Sequence, residues 1–106
     1  MAQGRTVFVN VTADWCLTCK VNERLVLARD PVRARLTEPD VLAMRGDWTA
    51  PDDGISRYLA GFGRYGIPFD AVYGPALPQG EALPELLSSD AVTDALARAD
   101  GGGQGR

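Results

Sequence analysis

Two cysteines lie three positions apart near the start of this chain, in Trp15-Cys16-Leu17-Thr18-Cys19, and the chain has no others. The residues before them, Thr6 to Thr12, are mostly β-branched or apolar, which predicts a strand covered on both faces. A helix is expected from about Cys16 to Arg29. The unpaired N–H groups and dipole at its start stabilise a thiolate. We therefore predict a redox-active pair, with Cys16 as the exposed attacking thiol and Cys19 as the more buried, resolving thiol.

Other interpretations of the pair are a permanent structural disulfide, a metal clip shared between two chains, or two unrelated buried thiols. The chain contains no histidine, which excludes Cys-His and Ser-His catalysis and every histidine-based metal site. Two cysteines cannot complete a four-ligand zinc site within one chain. A CxxC sequence between a strand and a helix, close to a βαβ pattern, favours the redox interpretation. We expect no resident metal and no cofactor other than the disulfide.

Pro68 follows Ile67 where a strand is expected to begin, and proline is rare in that position. An ordinary trans proline at a strand start is one interpretation. The other, which we favour beside a CxxC pair, is a cis peptide that presents a backbone edge to a substrate strand. Trp15 and Ile67 are then expected to line the substrate groove, with Trp15 packing at its rim.

Glu23 is four residues past Cys19 and seven past Cys16, so the three share one helical face. Its carboxylate could exchange a proton with Cys19 or raise a thiol pKa, and a solvated helix glutamate is an equally open interpretation. Asn10 interrupts the apolar strand six residues before Cys16. We expect its amide to be satisfied by backbone hydrogen bonds.

Turn residues and apolar periodicity give the remaining elements. An apolar stripe of Leu17, Val21, Leu25 and Ala28 is expected on the first helix. Val32–Leu36 is expected to be a short second helix or a bent continuation of the first. The further predicted elements are a strand at Val41–Arg45, a helix marked by Ile55, Tyr58, Leu59 and Phe62 that stops near Gly63–Gly66, a strand at Ile67–Tyr73, a weaker edge strand at Glu81–Leu87, and a helix capped by Ser88 that buries Val92, Ala95, Leu96 and Ala99.

This order predicts an α/β domain with a mixed central sheet of about four strands and helices on both faces. The first two strands should be parallel. The last two should form an antiparallel hairpin linked by Gly74–Gly80. The domain is expected to span residues 5–100, with a flexible start at residues 1–4 and a disordered glycine-rich tail at residues 101–106.

Composition excludes several classes of function. The formal charge of −3 offers no basic surface for nucleic acid. No apolar run is long enough to span a membrane, and no signal peptide is visible. We expect a soluble monomer that is either cytosolic or a segment of a longer exported or membrane-tethered protein.

Several sequence blocks resemble the thioredoxin superfamily and, more narrowly, the C-terminal periplasmic thioredoxin-like domain of the thiol:disulfide interchange protein DsbD family. The matching blocks are Val9–Lys20, Gly46–Thr49, Gly66–Pro68, Val72–Pro75 and Leu83–Leu87. The resemblance implies a thioredoxin fold and a protein-disulfide reductase in the electron transport that serves periplasmic isomerases and cytochrome c biogenesis. It also implies a transmembrane electron donor domain in the same parent protein and protein dithiol or disulfide partners.

By this resemblance Cys16 is the nucleophile, Cys19 the resolving thiol and Pro68 the cis-proline, and Glu23 lies where the family has a carboxylate that tunes the thiols. Two departures stand out. Asn10 replaces a buried aspartate, which leaves Glu23 as the expected tuning group, and the chain lacks the additional N-terminal βα unit of thioredoxins. An oxidase or isomerase of the same fold, or a non-catalytic CxxC module that binds metal or a partner, remains an alternative function.

Overall fold

The computed structural model describes residues 5–50 and 52–100. The expectations for residues 1–4 and 101–106 lie outside the described residues. The strands are β1 (Thr6–Thr12), β2 (Val41–Asp47), β3 (Phe69–Gly74) and β4 (Leu77–Ala82). The helices are α1 (Leu17–Asn22), which continues as a π-helical turn (Glu23–Leu27), then α2 (Val32–Leu36), α3 (Asp53–Ala60) and α4 (Ser89–Ala99).

The strands form one mixed sheet in the order β2-β1-β3-β4. β1 pairs parallel with β2 and antiparallel with β3, and β3 pairs antiparallel with β4. Helix α3 packs on one face of the sheet, while α2, α4 and the π-helical turn pack on the other. The predicted fold class is therefore confirmed, and β1 is the buried central strand that its apolar sequence predicted.

Two hydrophobic cores hold the helices to the sheet. On the α4 face, Phe8 and Val72 of the sheet meet the buried stripe of α4 that the sequence predicted, which is Val92, Ala95, Leu96 and Ala99. On the α3 face, Leu59 packs against Val11 and Phe69. The predicted cap is also confirmed, because the Ser88 hydroxyl accepts a hydrogen bond from the Ala91 N–H at 3.1 Å.

The position predicted for the last strand was wrong. β4 begins at Leu77, directly after a two-residue link from Gly74, and ends at Ala82 rather than spanning Glu81–Leu87. The short link brings Leu77 opposite Gly74 and so places the strand several residues earlier. Pro84 then lies beyond the strand, where its missing N–H costs the sheet no hydrogen bond.

Several other boundaries differ from prediction. β2 continues two residues past Arg45, because parallel pairing with β1 carries it to Asp47. Helix α3 ends at Ala60, three residues before the predicted stop. The first helix begins at Leu17 and has its regular part only to Asn22, since its next turn is π-helical.

The apolar stripe predicted for the first helix lies on the outside of the protein. Leu17 is 80% exposed, Val21 41% and Leu25 51%. The helix instead turns Cys19 and Asn22 inward, and Val26 and Leu27 of the π-helical turn reach the core. Asn22 is held there by the loop after β4, with its side chain donating to the Glu85 carbonyl oxygen at 2.8 Å and accepting from the Leu87 N–H at 3.0 Å. These contacts fix which face of the helix is buried.

Replacing Leu96 by alanine should remove buried contacts between α4 and the sheet. We expect the free energy of unfolding to fall by about 2–5 kcal/mol, because a cavity replaces the side chain. Urea denaturation measures this change. Leu86→Ala is the matched control, since Leu86 is 66% exposed, and it should change the stability by no more than about 0.5 kcal/mol. Equal losses in the two variants would contradict this packing.

Candidate active site

Cys16 and Cys19 form a disulfide with their Cα atoms 5.2 Å apart. Cys16 is extended and caps the start of α1, where its Sγ accepts a hydrogen bond from the Cys19 N–H at 3.1 Å. The end of β1 therefore delivers Cys16 to the point at which the helix begins, and the helix carries Cys19 back over the sheet. In the reduced form the same N–H is placed to stabilise a Cys16 thiolate.

The disulfide is more enclosed than predicted. Cys16 is 6% exposed and Cys19 1%, and both pack with Ala13 and Ile67. The expectation of an exposed Cys16 is therefore wrong for the disulfide form, although Cys19 is the more buried of the two. The difference arises because the segment before β3 closes over the pair, a contact between distant parts of the chain.

Pro68 is buried immediately before β3, and the Ile67–Pro68 peptide bond is cis, as the sequence interpretation favoured. The Asp30–Pro31 bond is also cis, which the sequence analysis did not anticipate. Ile67 joins the cluster around the disulfide. The structure thus brings Ile67 and Pro68 to the pair of cysteines from about 50 residues further along the chain.

A groove of about 430 Å³ opens beside the disulfide. Both residues predicted for it, Trp15 and Ile67, line its wall. The indole N–H of Trp15 donates to the Thr49 carbonyl oxygen at 3.1 Å, yet 60% of the Trp15 residue surface remains exposed. The groove is completed by residues that the sequence analysis did not assign to it, which are Trp48, Thr49, Tyr65 and Gly66.

Glu23 lies one helical turn beyond Cys19 and is half-buried. Its Oε2 accepts a hydrogen bond from the Thr12 hydroxyl at 2.7 Å, so β1 holds the carboxylate in place. Glu23 is therefore not a freely solvated helix residue. Its role in tuning the thiols stays a prediction.

Asn10 has a different partner from the one expected. Its Nδ2 donates to Oδ1 of Asp70 at 2.7 Å rather than to the backbone. The two residues are opposite each other in the antiparallel β1–β3 register. Since they are 60 residues apart in the chain, sheet pairing alone brings the amide to the carboxyl group.

Asp70 is the site residue that the sequence analysis missed. It is completely buried, and among the described residues its Oδ2 has no hydrogen-bond partner. Burial raises the pKa of Asp70 to about 6, the Asn10 hydrogen bond opposes the rise, and the nearby charge of Glu23 adds to it. One signal was available, because Asp70 is an acidic residue inside the otherwise apolar strand Phe69–Tyr73, two positions after Pro68.

The mixed sheet, the disulfide between β1 and α1, and the Ile67–Pro68 segment whose Ile67 packs against it define a thioredoxin-like protein. The chain belongs to the thioredoxin-like family, whose model matches residues 1–75. It is similar to the thiol:disulfide interchange protein DsbD of a Pseudomonas species, with 43% identity over 67 residues that cover 63% of this chain and 11% of the relative. It is also similar to the thiol:disulfide interchange protein DsbD 1 of Pseudomonas aeruginosa, with 35% identity over 89 residues that cover 84% of this chain and 15% of the relative.

Solved structures match the fold. The reduced C-terminal domain of DsbD from Neisseria meningitidis gives a TM-score of 0.70 at 21% identity, covering 91% of this chain and 82% of that one. A thioredoxin from Thermus thermophilus gives a TM-score of 0.68 at 20% identity, covering 93% of this chain and 77% of that one. The chain spans only 11% to 15% of the length of these DsbD relatives. Within residues 5–50 and 52–100, no helix has the length and hydrophobicity to cross a membrane.

Asp70 should make stability depend on pH. Its pKa is about 6 in the folded protein against an ordinary value of 3.8, so between those values the folded state holds a proton that the unfolded chain has lost. The contribution of Asp70 to stability is therefore fully present below about pH 4 and is lost as pH rises through 6. We expect the unfolding free energy, relative to Asp70→Asn, to drop by about 2 kcal/mol from pH 4 to pH 7.

Urea denaturation of both proteins across this pH range gives the difference directly. Asp94→Asn is the control, since Asp94 is exposed on α4 and its replacement should leave the pH dependence unchanged. If the difference in unfolding free energy between wild type and Asp70→Asn were the same at all pH values, the pKa of Asp70 would not differ between the folded and unfolded protein.

Proposed function

We propose that this domain is a protein-disulfide reductase that relays electrons through Cys16 and Cys19. The observation that carries the proposal is the capping geometry, in which the Cys16 sulfur meets the Cys19 N–H at 3.1 Å beside the groove. The Cys16 thiolate attacks a disulfide of the partner protein, forming a mixed disulfide and releasing one partner thiolate. Cys19, as a thiolate, then attacks Cys16, closing the Cys16–Cys19 bond and releasing the second. The partner gains the two electrons that the domain loses.

The reducing direction and the place of action are supported by the DsbD resemblance. The relatives are several times longer than this chain and are named thiol:disulfide interchange proteins. We therefore infer a periplasmic domain of an inner-membrane protein, with a transmembrane electron donor domain in the same parent protein. Its acceptors would be protein disulfides in the electron transport that includes cytochrome c biogenesis. The mechanism needs no cofactor beyond the disulfide.

The surface around the disulfide fits a protein partner. Trp15, Leu17 and Tyr65 surround the site and are 60%, 80% and 82% exposed. A mixed disulfide holds the two Cα atoms within roughly 4.4–6.8 Å of each other. A partner bound to Cys16 must therefore cover Trp15 and Leu17, and Val21 and Leu25 extend the same apolar stripe along the helix. The partner should accordingly carry apolar residues beside its own reactive cysteine.

The midpoint potential of the Cys16–Cys19 pair tests the proposed function. The protein is equilibrated in graded thiol/disulfide buffers, its free thiols are trapped, and they are counted by mass. We expect a two-electron transition between about −270 and about −200 mV, the range of reducing members of this fold. A midpoint near −120 mV would instead indicate an oxidant. If no reversible disulfide formed at any potential, the redox function would be wrong and metal or partner binding would replace it.

A second experiment tests the assignment of the nucleophile with Cys16→Ser, assayed by reduction of insulin. It should lose activity, because a serine hydroxyl in place of the Cys16 thiol cannot form the mixed disulfide. Cys19→Ser should form the mixed disulfide and retain it, since no thiol remains to resolve it. A Cys16→Ser protein that reduced insulin at the wild-type rate would contradict the assignment of the nucleophile.

The apolar stripe can be tested with the double variant Val21→Ser, Leu25→Ser. We expect kcat/KM for insulin reduction to fall about fivefold or more, the loss of roughly 1 kcal/mol of interface contact. The reaction of the reduced protein with 5,5′-dithiobis(2-nitrobenzoate) should not change, because this small disulfide does not extend along the helix.

Leu42→Ser is the matched control, because Leu42 is 41% exposed near the start of β2, at the opposite end of the sheet from the disulfide. It should affect neither reaction. Equal kcat/KM values for the double variant and wild type would exclude the stripe as part of the partner surface.

A further inference from the structure

A layer of polar side chains lies between the first helix and the sheet, where the surrounding residues are apolar. The Thr12 hydroxyl donates to Glu23, and the Asn10 amide donates to Asp70. Asn10 and Thr12 are two positions apart on β1, so both side chains point to the same face of the sheet. Glu23 is one helical turn from Cys19 on the helix above this face. The layer therefore lies on the face of the sheet that the first helix, which carries the resolving cysteine, covers, and Asp70 is its completely buried acid.

We propose that Asp70, held by Asn10, accepts the proton that the Cys19 thiol gives up when it attacks the mixed disulfide. This inference rests on the proposed function and adds to it the base for the resolving step. In that step the Cys19 S–H bond breaks, its proton passes to the Asp70 carboxylate, and the Cys19–Cys16 bond forms as the Cys16–partner bond breaks. The partner leaves as a thiolate with the electron pair of that bond.

Asp70 suits this task better than Glu23 does. Its Oδ1 is occupied by Asn10, and its Oδ2 has no partner among the described residues, so an acceptor atom is open. Complete burial brings the pKa of Asp70 to about 6, which makes it a stronger base than a solvated carboxylate yet still ionised at neutral pH. Glu23 already accepts the Thr12 hydroxyl and is only half-buried.

The neighbours of Asp70 include few other titratable groups. From the first helix, Glu23 acts on it by its charge. From β1 it meets the neutral Asn10 amide, and the residue that follows β4, Leu83, donates only its main-chain N–H to the Asp70 carbonyl oxygen. The residues that α4 buries against this face are apolar. Among the described residues, Glu23 is the charged group that acts on Asp70.

The reduced protein mixed with one equivalent of 5,5′-dithiobis(2-nitrobenzoate) isolates the proposed step. Attack by Cys16 releases the first thionitrobenzoate, and attack by Cys19 on the mixed disulfide releases the second at a rate independent of reagent concentration. We expect Asp70→Asn to slow the second release tenfold or more at pH 7–8, because no carboxylate accepts the proton. The first release should be unchanged within about twofold, and the wild-type rise in the second rate near pH 6 should be lost.

The exchange variant Asn10→Asp, Asp70→Asn is the matched control. It keeps one buried carboxylate and one amide across the same strand register but places the acid on β1. We expect it to recover most of the second-step rate and its pH dependence, which a merely structural defect in Asp70→Asn would not allow. A cooperative thermal unfolding transition of each variant serves as the control that both are folded.

Two outcomes would overturn the inference while leaving the proposed function intact. One is a second release by Asp70→Asn within twofold of the wild-type rate at every pH, which would assign the proton to Glu23 or to solvent. The other is a slow second release in both variants whose rate depends on pH in the same way as the wild-type rate. Failure of the wild-type protein to release any thionitrobenzoate would instead refute the reductase function itself.

Discussion

Strand β1 is covered on both faces, so a polar side chain on it has little access to water, and two of its polar side chains have hydrogen-bond partners inside the protein. Asn10 finds Asp70 across the sheet and Thr12 finds Glu23 on the helix above. The same strand ends at the loop that delivers Cys16 to the start of α1. The burial of this single strand therefore helps to place the thiol pair, and its two polar side chains bind one carboxyl group on the neighbouring strand and one on the first helix.

The site reverses the usual arrangement of a protein surface and its interior. Beneath the helix lie a buried carboxyl group, an amide and a hydroxyl, whereas large apolar side chains such as Trp15 and Leu17 are exposed around the disulfide. Both parts suit thiol exchange with another protein. Apolar residues outside can be covered when the mixed disulfide forms, and an acid inside can exchange protons away from bulk solvent.

The first helix shows how one interaction can change which face of an element is buried. Its spacing of Leu17, Val21 and Leu25 is what a core-facing helix would have, yet these three side chains are exposed. Asn22 is buried because the loop after β4 supplies both a donor and an acceptor to its side chain. Once Asn22 and Cys19 face inward, the apolar stripe must face outward. Nothing within the helix itself signals the loop that makes this choice.

The sequence by itself determined the features that depend on neighbours along the chain. These are the β-branched strand, the position of Cys16 and Cys19 at a helix start, the capped and amphipathic α4, and therefore the fold class. Only the tertiary structure decided the pairing of Asn10 with Asp70, the enclosure of the disulfide by Ile67, and the outward stripe. Each of these depends on contacts between segments far apart in the chain, and their geometry is set by strand register and loop docking rather than by local spacing.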